Sequence, residues 1–466
     1  MQVKLALPKG QLQESTAELL KQAGFAIDDY SEGSRSYRPW CETCPSLFTK
    51  VFHEKDIAIQ VAIGNYDLGI CRLDWIEELL VKYHSDAVVK IRDLGYGMRA
   101  IYAVVASSHA DNLLEKAKDG ERSLRIVSEY PNLAEAFALK QRLRRFQIFP
   151  VWGAASSYSP ENAELAIVAE TAPRRLREQG LEPIVTILES GACLIANRKS
   201  MESKELGQIL EALSNQEITD TDSEEAAHHG GETSAGSYAI DESLVTIALP
   251  DGHQQRHTID FLDRAGITIE GYDLGNPNPR PRMSLDGVAV KVIRPQDMPF
   301  QVANGNFDLA ITGRDWLRDH RFRFPASPVE EVLELGFGKV RIVAVVTQDM
   351  PVSTTDDLRK LPRDSVLRIA SEYINITDKY AHDNHLTPCR IIPTWGASEA
   401  FLPEDADVLI ENTETGSTIA RNKLKIIDTL FESSACLIGN KNAMKRQDKR
   451  EKISHIVDVM RRGIVS

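Results

Sequence analysis

The segment best suited to chemistry is residues 406–422, ADVLIENTETGSTIARN. An apolar strand over 408–410 delivers an acidic residue, Glu411, and then a turn of Thr415, Gly416, Ser417 and Thr418 that opens an amphipathic helix. A strand, a tight glycine turn and a helix start aim several backbone N–H groups at one point, which is what a phosphate needs. Gly416 allows close backbone approach and a positive φ. Ser417 and Thr418 add hydroxyl donors without bulk. Glu411 and Glu414 repel a phosphate itself, but they suit the hydroxyls of a sugar held just outside the anion cradle. Taken alone, the same residues also describe an ordinary Ser/Thr-capped helix after a strand.

The elements that must position this turn occur twice. LALPKG (5–10) returns as IALPDG (247–252), GNYDLGICRLDWIEE (64–78) as GNFDLAITGRDWLRD (305–319), and LGYG (94–97) as LGFG (335–338). RIVSEYPN (125–132) returns as RIASEYIN (368–375), the WGA at Trp152 as that at Trp395, and LESGACLIAN (188–197) as FESSACLIGN (431–440). Gly10 and Gly252 are 242 residues apart and Asn197 and Asn440 are 243 apart, so the copies are a tandem duplication with almost no insertion. The reading is a first copy over 1–217, an acidic Ser/Gly/Ala-rich linker over 218–243, and a second copy over 244–466.

Within each copy short apolar runs alternate with amphipathic segments, which predicts α/β layers with largely parallel sheets. AIYAVVA and RIVAVVT are expected to cross between two lobes, and CLIAN and CLIGN to return to the first. Two lobes so joined leave a cleft, the usual place for a small ligand. Trp75 and Trp316, at matching places, read as core anchors.

Composition excludes several classes. With 55 Lys and Arg against 68 Asp and Glu, the net charge of −13 opposes general nucleic-acid binding. No apolar run is long enough to cross a bilayer, and the opening MQVKLALPKGQL reads as a buried strand rather than a signal, so a cytoplasmic protein is expected. Six scattered cysteines suit reduced thiols. Cys41, Cys44 and His53 resemble half a zinc site without its second pair, and His228 and His229 read as solvated linker residues, so no resident metal is expected.

Taken with its neighbours, the Glu-Thr-Gly-Ser-Thr run at 414–418, three residues after Glu411, resembles the phosphoribosyl-pyrophosphate loop of the ATP phosphoribosyltransferases, which open histidine biosynthesis. Other stretches follow in that family's order: ALP near the start of each copy, IRPQDMP (293–299), NFDLAITGRDWL (306–317), ELGFGKVRIVAV (334–345), RIASEYIN, TWGASEAF (394–401) and IIDTLFESSACLIGN (426–440). The likeness covers essentially all of copy two and, more loosely, all of copy one. It implies two α/β lobes per copy in the type II periplasmic-binding-protein-like arrangement.

The implied reaction joins N1 of the adenine of ATP to C1 of the ribose of phosphoribosyl pyrophosphate, with pyrophosphate leaving together with Mg²⁺. Under this resemblance Glu411, Glu414, Thr415, Gly416, Ser417 and Thr418 hold phosphoribosyl pyrophosphate, and Glu399 and Glu411 lie near the reacting centre. Lys9, Arg35, Arg294 and Arg341 meet ATP or polyphosphate. After Asn440 only a helical tail is expected, too short for the regulatory domain of long-form members. The short form generally depends on a histidyl-tRNA-synthetase-like subunit. A non-catalytic two-lobed small-ligand binder is the rival reading.

The copies depart from the family in complementary ways. At the loop position copy one reads IVAETAPRRLREQ (167–179), with Pro173, Arg174 and Arg175 where Gly416, Ser417 and Thr418 stand. Proline removes an N–H and fixes φ, so the cradle is not expected there. Copy one keeps Lys9 and the GSRSYRP run with Arg35 and Arg38, whereas copy two has Asp251 and His253 at the opening motif. The expectation is an internal pseudo-dimer, open to further assembly with copies of itself, in which cations of copy one supplement a single working cleft in copy two.

Overall fold

The computed structural model describes residues 2–465 except 32, 35, 84–85, 110–112, 119, 121–122, 215–242, 276 and 362–365. Nearly all of the linker expected over 218–243 therefore lies outside the described residues, as does Arg35. The chain forms two units that follow the two copies apart from short exchanged segments. Unit 1 is Met1–Pro150, Ala163–Ser237 and Thr394–Ala400; unit 2 is Val151–Asn162, Tyr238–Pro393 and Phe401–Ser466.

In unit 1 the first lobe is a seven-stranded sheet in the order Ile27–Asp28, Trp40–Cys41, Leu47–Phe52, Val3–Pro8, Leu68–Arg72, Ala192–Asn197, Val88–Asp93. Val3–Pro8 runs parallel to both of its neighbours, while Ala192–Asn197 is antiparallel to Leu68–Arg72 and Val88–Asp93. The central strands are apolar on both faces because helices cover both, and every residue of Ala192–Asn197 is buried. The second lobe orders Leu181–Ser190, Arg99–Ala106, Leu165–Glu170, Leu124–Ser128 and Phe146–Pro150. Its last three strands are parallel, and Arg99–Ala106 is antiparallel to both neighbours.

Unit 2 repeats the plan. Its first lobe orders Val288–Ile293, Val245–Pro250, Leu309–Gly313, Ala435–Asn440 and Val329–Glu334; its second orders Cys389–Pro393, Leu367–Ser371, Val408–Thr413, Val340–Thr347 and Leu424–Ser433. Trp75 and Trp316 sit in second-lobe cores, at 8% and 9% exposure, as the sequence predicts. The C-terminal helix Gln447–Val465 sends Ile453, Ile456 and Met460 into the first-lobe core.

Two expectations need correction. The sheets are mixed rather than largely parallel, because a strand that returns from the second lobe enters the first sheet from the opposite end. AIYAVVA and RIVAVVT lie wholly inside the second-lobe sheets. The crossing itself is made by the glycine-containing stretches just before them, where Gly95, Gly97, Gly336 and Gly338 all have positive φ. These stretches hydrogen-bond to the returning chain, as in Leu94 N to Ala192 O (2.9 Å) and Ala435 N to Phe337 O (2.9 Å), so each hinge is a pair of adjacent strands.

The exchanged segments are well held within their units. In unit 2 the Trp152 amide donates to both carboxylate oxygens of Asp297 at 3.1 and 3.0 Å. Glu161 meets Lys291 at 2.7 Å and Arg280 at 3.1 Å, and Lys291 also donates to Asn162 Oδ1 at 2.7 Å. In unit 1 Arg38 Nη2 donates to Ala400 O at 3.2 Å. Among the described residues no helix is long and apolar enough to cross a membrane, and no group of His, Cys, Asp and Glu gathers to hold a metal ion.

Candidate active site

The strand Val408–Thr413 is fully buried over Val408, Leu409 and Ile410, so its apolar start fixes where the polar end emerges. Gly416 then takes φ 78° and ψ 5°, the left-handed conformation, and caps the helix Ser417–Arg421. No atom lies within 4 Å of where a Cβ would stand, so glycine is required there by torsion and not by space. The Gly416 amide donates to Thr413 Oγ1 at 2.9 Å, and Thr415 Oγ1 donates to Ser417 Oγ at 3.1 Å.

The first intrahelical bond of this helix is Ala420 N to Gly416 O at 3.0 Å. The amides of Thr418 and Ile419 in the first turn therefore have no intrahelical carbonyl to bond. Glu414, Thr415, Ser417 and Thr418 are exposed, and Glu411 is half-buried at the strand end. A helix of five residues carries little macrodipole, so what the turn offers an anion is confined to its local amides and hydroxyls.

Arg341 lies beside this turn. Its Cα is opposite Thr413 in the ladder between Val340–Thr347 and Val408–Thr413, so the two side chains share a sheet face. It is half-buried and has no ion-pair partner among the described residues. Unit 2 thus brings together Glu411, Glu414, the 415–418 turn and Arg341.

Copy one builds a different object at the same place. Ala172 is extended at φ −143°, Pro173 opens the helix Pro173–Glu178, and Arg174 pairs with Glu178 at 2.8 Å. Val168 and Thr171 stand where Glu411 and Glu414 do. The left-handed turn, the amide at the glycine position and both carboxylates are absent together.

The remaining candidates fall elsewhere. Arg294, in unit 2, is already engaged: its guanidinium meets Asp251 at 3.1 Å, and a Cβ on Gly153 would come within 2.8 Å of its Nε. Burial pushes the Asp251 carboxyl up and the arginine only partly offsets this. Lys9, at the place Asp251 holds in copy two, is exposed in unit 1 with its Nζ 5.1 Å from the Tyr37 ring centre. Glu399 is half-buried in the short turn Ser398–Phe401, and its stretch Thr394–Ala400 belongs to unit 1. Cys41 and Cys44 are free thiols, the first buried and the second half-buried.

His53, the mate of Arg294, caps the helix Glu54–Ala62 by accepting from the Lys55 amide at 3.3 Å. Burial, then the charges of Lys55, Lys9 and Arg99, push its pKa down from 6.5 to about 4. It is neutral when folded while the unfolded chain takes up its proton, so stability is fully present above pH 6.5 and falls as pH drops toward 4. His53→Asn, which keeps a capping acceptor, is expected to remove about 3 kcal/mol of that acid sensitivity. Urea unfolding of both proteins at pH 7 and pH 4.5 checks this, and parallel losses in the two would refute it.

Sequence reading missed a group of polar residues behind the turn. Asn412 Nδ2 donates to Tyr373 Oη at 2.9 Å, Tyr373 Oη donates to Asp315 Oδ2 at 2.7 Å, and Ser433 Oγ donates to Asp315 Oδ1 at 2.7 Å. The only signal available was that Asp74 and Asp315, Tyr130 and Tyr373, and Ser190 and Ser433 are paired identities in the two copies.

A profile of the ATP phosphoribosyltransferase family matches residues 53–215 and again 294–462. ATP phosphoribosyltransferase of Prosthecochloris aestuarii is 33% identical over 228 residues, covering 48% of this chain and 72% of that protein. ATP phosphoribosyltransferase 1 of Geobacter sulfurreducens is 33% identical over 229 residues, covering 48% of this chain and 74% of that protein. The solved ATP phosphoribosyl transferase (HisG:HisZ) complex from Thermotoga maritima is 21% identical with a TM-score of 0.39, over 47% of this chain and 98% of that one. Matched twice by one profile, and by relatives over most of their own length, the chain belongs to the ATP phosphoribosyltransferase family and is a phosphoribosyltransferase of the first step of histidine biosynthesis.

Proposed function

We propose that the reaction runs in one cleft, that of the second copy, and that the left-handed turn at Gly416 is its phosphate cradle. The single observation that carries this reading is the contrast at the loop, φ 78° at Gly416 against an extended residue followed by Pro173 in copy one. The amides of the first helical turn, with Thr415, Ser417 and Thr418, hold the 5′-phosphate of phosphoribosyl pyrophosphate. Glu411 and Glu414 accept from the ribose hydroxyls.

The bond from C1 to the pyrophosphate oxygen breaks with its electron pair leaving on pyrophosphate, which departs with Mg²⁺, and the N1 lone pair of adenine forms the new bond to C1. Positive charge grows on the ribose ring, where Glu411 stabilises it, and negative charge grows on pyrophosphate, which Arg341 meets. N1 needs no general base. Holding adenine and ribose in line supplies much of the remaining acceleration. Arg294, neutralised by Asp251, has less net charge to offer polyphosphate than its sequence context suggests.

Lys9 and Arg35 of the first copy are assigned to the triphosphate of ATP, a reading supported for Lys9 by the carboxylate, Asp251, that stands at its place in copy two. Lys9→Ala is expected to raise the KM for ATP about tenfold, the worth of one charge-assisted hydrogen bond, with the KM for phosphoribosyl pyrophosphate unchanged. An unchanged KM for ATP would leave the first copy as scaffold. Pyrophosphate release from ATP plus phosphoribosyl pyrophosphate by the purified chain tests the whole reading, since a mere ligand binder would retain both substrates and release nothing. Release that begins only when a histidyl-tRNA-synthetase-like subunit is added would establish the need for that partner.

A further inference from the structure

We propose that Asn412 is a positioning residue for phosphoribosyl pyrophosphate, acting through a hydrogen-bonded relay from Asn412 to Tyr373 to Asp315 that fixes the phosphate-loop strand against the first lobe. The inference rests on the phosphate-loop reading above. Asn412 lies on the strand that feeds the turn, and Asp315 begins the helix Arg314–Arg323, directly after the first-lobe strand Leu309–Gly313. Tyr373 caps the second-lobe helix Ile374–Asp383, and Ser433 ends the strand that returns toward the hinge. Four separately placed elements are therefore linked, Tyr373 and Ser433 bonding the Asp315 carboxylate directly and Asn412 joining it through Tyr373.

The bonding is directional and closed. Tyr373 Oη accepts from Asn412 Nδ2 and donates to Asp315 Oδ2, while Ser433 Oγ donates to Asp315 Oδ1, so both carboxylate oxygens are occupied. Tyr373 and Asp315 are buried, where an unmet polar group is costly and a made one is correspondingly rigid. Asn412 is exposed, and its side-chain amide donates to Tyr373, which makes that bond its distinctive contribution. Gly313 keeps the space open, since a Cβ there would stand 2.1 Å from Asp315 Oδ1.

Copy one has lost the relay along with its loop. Ala169 stands at the Asn412 position, Arg72 at Gly313 and Arg99 at Val340. The Arg99 guanidinium inserts between the two matching groups, donating to Asp74 Oδ2 at 2.6 Å and to Tyr130 Oη at 2.8 Å. Arg72 turns instead to Glu54 at 2.7 Å, and Asp74 Oδ1 is buried with no partner among the described residues. The polar path from hinge to loop is continuous in the copy with the glycine turn and absent in the copy without it.

The test is steady-state kinetics on the full chain carrying Asn412→Ala, Tyr373→Phe, both together, and Gly416→Pro. Asn412→Ala and Tyr373→Phe are each expected to raise the KM for phosphoribosyl pyrophosphate about tenfold, the worth of one ordered hydrogen bond. The KM for ATP should stay within about twofold, and the double variant should match the singles because one path is cut once or twice. Additive losses would overturn the relay. A wild-type KM for phosphoribosyl pyrophosphate in Asn412→Ala would overturn it even if Tyr373→Phe is damaged by unfolding, because Asn412 is exposed and its truncation spares the fold. If Gly416→Pro abolishes turnover while Asn412→Ala is silent, the loop reading stands and the relay alone is wrong. If Gly416→Pro is also silent, the loop reading falls with it.

Discussion

Gly416→Pro is expected to lower turnover by on the order of 10²–10³-fold, the loss that follows removal of a fixed donor to developing or bound negative charge. Proline locks φ near −65°, whereas Gly416 sits at 78°, so the turn cannot persist with that residue in it. The same change deletes the amide that donates to Thr413 Oγ1, releasing the strand end from the turn. The melting temperature should move little, because the turn is largely exposed and the core residues Val408 and Ile410 precede it. Gly416→Ala separates torsion from space: nothing stands near the Cβ position, so any loss it shows reports the positive φ alone. Rates near those of the unaltered chain in both variants, at limiting phosphoribosyl pyrophosphate, would remove the turn from the mechanism.

Glu161→Gln is expected to destabilise unit 2 by about 3 kcal/mol at neutral pH, because it leaves Lys291 and Arg280 facing each other without the carboxylate between them. Lys291 is 8% exposed, so its charge has little recourse to water. Burial by itself would raise the Glu161 carboxyl, but the Lys291 charge and the Arg280 hydrogen bond and charge reverse this and bring it from 4.5 down to about 2. A carboxyl depressed in the folded state contributes stability that is fully present above pH 4.5 and is lost as pH falls through about 2. Unaltered protein should therefore weaken between pH 4.5 and 2, and the Gln variant should already have lost that increment at pH 7. Urea midpoints followed by circular dichroism at pH 7 and pH 3 measure both, and a variant as stable as its parent at pH 7 would show that the ion triad contributes nothing net.

The backbone of the candidate turn was legible in the sequence because it depends on neighbours in the chain. The strand 408–410, the glycine before a Ser-Thr helix start, and the proline that spoils the matching place in copy one are statements about torsion and donor count within a few residues. The fate of Arg294 was not legible. Its motif suggests a free cation for polyphosphate, yet Asp251, 43 positions earlier, has taken it. Arg341 was equally ambiguous on paper, and the ladder pairing with Thr413 is what puts it beside the turn. The expected crossing strands were displaced by a few residues because apolar character marks burial and says nothing about which sheet a strand joins.

Residue order by itself determined that two similar α/β copies share this chain, that their departures from each other are complementary, and that one of them alone carries the strand, glycine turn and helix start on which the proposed phosphate cradle rests. Those conclusions rest on periodicity and on the φ a residue type tolerates, both local properties. Tertiary structure alone decided that Val151–Asn162 joins the second unit and Thr394–Ala400 the first, and that Asn412 reaches Asp315 through Tyr373. Glu161 lies 130 residues from Lys291, and Tyr373 lies 58 from Asp315. Partners so distant in sequence are chosen by how whole sheets and helices pack, a many-body outcome that no pattern of neighbouring residues encodes.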